Sequence, residues 1–138
     1  GRYKIDKTEP VHESETCTVY FGKDFAKNPS DEKHNVAIKI MYKKENFDRE
    51  LKARVKYIDR VEIDKDIEEY NNMFEKDHVV SLYRYHEYKD ETNEKDCYCL
   101  ILAKGTKSLH HIIDSERIAG CNVDKIRNYG KDLAQAIQ

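Results

Sequence analysis

Apolar side chains are scarce in this chain. Leu, Ile, Val and Phe together make up about 22% of its 138 residues, while 38% are charged. That lies just above the range in which a chain stays unfolded for want of burial, so it predicts a thin core in one ordinary domain. Ten tyrosines add burial with a polar tip, which offsets part of the shortage.

The apolar residues come in short runs. Residues 3–12 and 16–25 have β-branched and aromatic content and predict two strands, the second closed by Gly22. A polar cluster, AKNPSDEKHN at 26–35, predicts a loop, and VAIKIMY at 36–42 a third strand. Phe47, Leu51, Val55 and Ile58 then recur at helical spacing with Lys, Arg and Glu on the other faces. Ile67, Tyr70 and Phe74 repeat that spacing and predict a short helix over 64–76. HVVSLYRYHEY (78–88), with Val80 and Leu82 as core, and CYCLILA (97–103) read as an antiparallel hairpin around the charged turn KDETNEKD. SLHHIID (108–114) predicts a short helix with Ser108 as N-cap. VDKIRNYGKDLAQAIQ (123–138) predicts a longer one carrying Ile126, Leu133 and Ile137. No Gly, Pro or basic turn closes that last pattern, so the expectation is a chain cut inside a helix.

The third strand carries a charge among apolar neighbours. Val36 and Ile38 point to one side of it and Ala37 and Lys39 to the other, so a small residue and an ammonium share a face. A half-buried ammonium needs a carboxylate partner, because an unpaired one is costly. Glu50 stands 11 residues on, on the helix whose Phe47, Leu51 and Val55 stripe would pack it on the sheet. Glu68 and Glu69 are the rivals; Glu50 is favoured because the stripe comes with it.

VAIK at 36–39 is identical to the tetrapeptide of the Lys-bearing strand in protein kinases, and Phe47-Asp48-Arg49-Glu50 resembles the F-x-x-E that opens that family's C helix. CYCLILA followed by KGTKSLHHII resembles the fifth strand, hinge and following Ser-Leu, and YGKDLAQAIQ the helix ahead of the catalytic loop. The resemblance covers roughly 3–138. It implies an α+β fold, a protein-kinase-like small lobe of a five-stranded antiparallel sheet plus C helix over 1–102. A hinge at 103–107 and the first two helices of the large lobe over 108–138 would follow. It further implies that Val11, Val19 and Ala37 sandwich adenine and that Lys39 reaches the α and β phosphates of ATP. Glu50 would hold Lys39, Ile101 or Leu102 would guard the pocket, and the backbone of Ala103, Lys104 and Gly105 would face the adenine edge. The complete enzyme would move the γ-phosphoryl of ATP to a Ser/Thr hydroxyl of a protein substrate.

The family's Gly-rich loop lets backbone amides come close to phosphates. Anchored on Val19-Tyr20-x-Gly22, which resembles V-Y-x-G, this chain has His12, Ser14 and Cys17 where the glycines would stand, and Glu13 and Glu15 bring negative charge there. Neither H-R-D-x-x-x-x-N nor D-F-G occurs in the 138 residues, so the Mg2+ ligands are expected in the missing part of the large lobe and this stretch alone cannot transfer phosphate. Two other readings stand beside the kinase. One is a pseudokinase acting as a nucleotide-binding or scaffolding module, the other an unrelated α+β interaction module in which VAIK is coincidental.

A formal net charge of −2 argues against a nucleic-acid binder working through a general basic field. No run approaches the roughly 20 apolar residues of a membrane span, and the start lacks the apolar stretch of a signal peptide. The expectation is an intracellular, cytoplasmic protein with no nucleic-acid or membrane partner. Four cysteines, at 17, 97, 99 and 121, are expected reduced, with C-x-C at 97–99 as buried strand thiols and not a zinc site. The histidines at 78, 86, 110 and 111 are expected on the surface or at caps.

Overall fold

The computed structural model describes residues 1–54, 80–90, 95–116 and 120–137. The predicted helix over 64–76, with Glu68 and Glu69, lies outside them, as do Val55, Ile58 and His78. The described chain is α+β. Its strands are β1 (Tyr3–Ile5), β2 (His12–Glu13), β3 (Cys17–Asp24), β4 (Asn35–Met41), β5 (Leu82–Asp90) and β6 (Lys95–Ala103). Its helices are α1 (Lys44–Arg54), α2 (Leu109–Glu116) and α3 (Val123–Ile137). The strands form one antiparallel sheet in the order β1-β3-β4-β6-β5, with β2 also paired to β3.

The single first strand expected over 3–12 is broken in two, so six stretches of strand replace five. From Gly22 back to Val19, β3 advances three residues, while the edge chain advances seven from Ile5 to His12. The surplus residues lie between Ile5 and His12 and include Pro10, which has no N–H to give a ladder. The ladder resumes where the Val11 N–H meets the Val19 carbonyl at 2.8 Å. Gly22 is required at the β1 crossing: a Cβ there would stand 2.5 Å from the Lys4 carbonyl oxygen and 2.9 Å from Ile38 Cδ1.

Alternation along β4 divides the apolar residues between two faces. Ala37 and Met41 join Cys17, Phe47, Leu82, Tyr85, Tyr98, Leu100 and Leu102 on one side, and Val36 and Ile38 join Ile101 on the other. Phe47 is fully buried and holds α1 against the sheet, its ring 5.4 Å from that of Tyr98 and 6.2 Å from that of Tyr85. Leu51, one turn later, packs beside it. Val80, expected in the core, is 49% exposed, because β5 begins only at Leu82, which is buried.

A polar clasp closes the β1 end of the sheet. Arg2 donates two hydrogen bonds of 2.8 Å to the two carboxylate oxygens of Asp24, and the Ala26 N–H adds a third at 3.0 Å. Burial works to raise the Asp24 pKa, but these donors and the Arg2 charge outweigh it and hold the carboxyl below its ordinary range. Buried His34 stands with Nδ1 3.0 Å from the Asp24 carbonyl oxygen and 3.2 Å from that of Lys27. Two carbonyls can only accept, so Nδ1 carries the proton.

Both described C-terminal helices are capped. Ser108 Oγ accepts from the His111 N–H at 3.1 Å, as expected, and Asn122 Oδ1 accepts from the Lys125 N–H at 3.0 Å. Ile126, Leu133 and Ile137 of α3 are exposed. No helix among the described residues is long and apolar enough to cross a membrane.

Two stability outcomes follow from this packing. Phe47→Ala, which empties the contact between α1 and the sheet, should cost about 3–5 kcal/mol in urea unfolding. Asp24 has a depressed pKa in the fold, so its contribution is present above the ordinary carboxyl value of 3.8 and is lost as pH falls through the folded-state pKa. Asp24→Asn should therefore be less stable than the wild type at pH 7, with the difference shrinking as the pH is lowered past 3.8.

Candidate functional site

The β-ladder sets the site out in rows across the sheet. Phe21, Ala37 and Leu102 stand side by side on β3, β4 and β6, and Val19, Lys39 and Leu100 form the next row, two residues along. Directly paired antiparallel residues share a face. The Lys39 side chain therefore leaves the sheet on the side that α1 covers.

On α1, Glu50 follows Phe47 by three residues and so shares its sheet-facing side. Lys39 Nζ donates to Glu50 Oε2 at 2.5 Å, and the two side chains are 22% and 20% exposed. The pair is neither sealed nor fully solvated. An ammonium has three N–H donors, so it can hold a carboxylate and still meet an anionic ligand at the open side. The preference for Glu50 as the partner of Lys39 agrees with this geometry.

The positions expected around a ligand fall in different places. Ala37 and Leu102 are buried in the row beside Lys39, and Val19 is half-buried in the Lys39 row. Of Ile101 and Leu102, Leu102 shares the Lys39 face, while Ile101 packs with Val36 and Ile38 on the opposite side. Val11 stands one residue outside β2 and is 51% exposed; the residue directly opposite Val19 is His12. Ala103 ends β6, its N–H bonded to the Ser81 carbonyl at 2.9 Å, and Lys104 and Gly105 lie exposed beyond it. The Lys104 ammonium sits 4.5 Å from the centre of the Phe21 ring, at the rim of the Ala37 row. Nothing in the spacing of Lys104 and Phe21 announces that contact, which joins residues 83 positions apart in sequence.

The turn from β2 to β3 is closed on itself. The Ser14 N–H donates to the Cys17 carbonyl at 2.9 Å, and Ser14 Oγ accepts from the N–H groups of Cys17 (3.2 Å) and Thr16 (3.4 Å). At its root the Thr16 carbonyl takes the Tyr42 N–H at 3.3 Å, and the Thr18 hydroxyl meets the Tyr42 phenol. A Ser hydroxyl that caps amides two and three residues on is an ordinary local turn, so Ser14 was readable as a cap from its sequence neighbourhood. Glu15 in this turn is exposed, as is Glu13 at the end of β2; Glu13 pairs with Thr18 and so leaves the sheet on the side away from Lys39.

All four cysteines are free thiols. Cys97 and Cys99 leave β6 on the side away from Lys39. The Cys99 thiol is pushed up to about 12, chiefly by burial and further by Cys97 beside it, so it stays protonated and unreactive at neutral pH. Among the described residues no three or more His, Cys, Asp and Glu side chains are grouped to hold a metal ion. His86, His110 and His111 are exposed.

What the arrangement can do is electrostatic and positional. It presents an oriented ammonium beside a shallow apolar floor of Val19, Ala37 and Leu102, bounded by the exposed backbone of 104–105 at one end and the 14–17 turn at the other. Neither a family model nor a curated protein matches the chain.

Proposed function

We propose that the Lys39 face binds an adenine nucleotide, as the ATP-binding part of a protein kinase. The observation that carries this reading is the 2.5 Å Lys39–Glu50 pair beside Ala37, formed by two motifs that resemble the family's independently. The base would lie on Ala37 and Val19 with its edge toward the backbone of Ala103, Lys104 and Gly105, and Leu102 would stand at the back. Lys39 would hold the phosphates nearest the ribose, and Glu50, as a positioning residue, would keep the ammonium aimed. A base for the acceptor hydroxyl and the magnesium ligands are not supplied by these residues, so their part in transfer of the γ-phosphoryl to a protein Ser/Thr hydroxyl is binding and orientation.

A second reading keeps the nucleotide and drops the chemistry, as a pseudokinase. The closed 14–17 turn favours it, since two of its amides are bonded to Ser14 and the Glu15 carboxylate repels phosphate.

Thermal unfolding with nucleotide tests both readings. At ADP or ATP concentrations about ten times Kd, the wild type should gain roughly 3–6 °C in Tm. Lys39→Met should lose that gain while keeping the circular dichroism of the wild type. A wild type that does not shift, or a Lys39→Met protein that shifts equally, contradicts the proposal.

A further inference from the structure

The sheet acts as a ruler for any ligand lying along this face. Successive same-face rows are two residues apart, about 7 Å along a strand. The first row is Phe21, Ala37 and Leu102, the second Val19, Lys39 and Leu100, and the third begins with Cys17 opposite Met41. The third row is where the 14–17 turn begins. A ligand with its base in the first row and its inner phosphates on Lys39 therefore has the far end of its phosphate chain at the turn.

Three features make that end unsuited to a further phosphate. The Cys17 and Thr16 N–H groups, which an open turn would offer to an anion, are directed at Ser14 Oγ. The turn is tied down at its root through Thr16 and Tyr42, so opening it disturbs the end of β4. Glu15 is exposed within the turn, and its carboxylate repels a further negative charge brought beside it; Glu13, paired with Thr18, leaves the sheet on the side away from Lys39.

We propose that the site favours a nucleoside diphosphate over the corresponding triphosphate, with Lys39 holding the two inner phosphates and the closed, acidic turn penalising the third. This rests on the nucleotide reading above and deepens it. In an active parent enzyme it makes the product bind more tightly than the substrate; in a pseudokinase it makes the site a diphosphate receptor.

Calorimetric titration with ADP and ATP in metal-free buffer containing EDTA at low ionic strength separates the two claims. The expected result is an ADP Kd at least threefold below that of ATP. The Glu15→Gln variant, changed only at an exposed side chain, should bring the two values within twofold by strengthening ATP. A wild-type ratio under threefold, or a ratio unmoved in Glu15→Gln, overturns the diphosphate preference alone. Absence of binding by both nucleotides overturns the nucleotide reading and this inference with it.

Discussion

Everything at the candidate site depends on how α1 is seated. Phe47 is the only aromatic residue among the described residues of that helix, and it is fully buried against Tyr85 and Tyr98. Burial of one such ring is worth about 1.5–3 kcal/mol, a sizeable share for a chain with so few aliphatic side chains. Because a helix repeats every 3.6 residues, seating Phe47 also decides where Glu50 goes, one turn on and toward the sheet. The apolar contact thus sets the position of a charge. Lys39 comes to the same place by the two-residue period of β4, which puts it beside Ala37 and Met41 and opposite Val19 and Leu100.

A half-exposed ion pair is a poor way to stabilise a fold, since the desolvation of two charges offsets most of their attraction. On an otherwise apolar face, the pair's effect is to hold the ammonium in one orientation. The Arg2–Asp24 clasp is different in kind. It is bidentate, lies at the sheet edge and ties the first residues of the chain to the loop that His34 closes. One pair keeps the sheet's edge in order, and the other stands where a ligand can reach it.

The parts legible in the sequence were those with a short period or a local partner. VAIK shows a strand with a charge on the face of its small residue, and Phe47 to Leu51 shows a helix stripe with Glu50 beside it, so the pair could be anticipated from residues 11 apart. Ser108 was readable as a cap because it bonds only three residues away. What could not be read depends on distant strands. The break in the edge strand follows from counting its residues against β3, and Pro10 alone does not reveal it. Leu102, and not Ile101, faces Lys39 because of a register that a shift of one residue would invert. Arg2 and Asp24, or Phe21 and Lys104, have no sequence signal linking them. Val80 has a core residue's side chain but stands two residues ahead of β5, where it is exposed.

Lys39 and Glu50 hold one another between β4 and α1. A double-mutant cycle in urea with Lys39→Met, Glu50→Gln and the combined variant measures this directly. The expected coupling is about 1 kcal/mol or more, with the combined variant less destabilised than the two single losses added together. Losses that add to within about 0.3 kcal/mol would mean that the two side chains do not hold one another, and would contradict it.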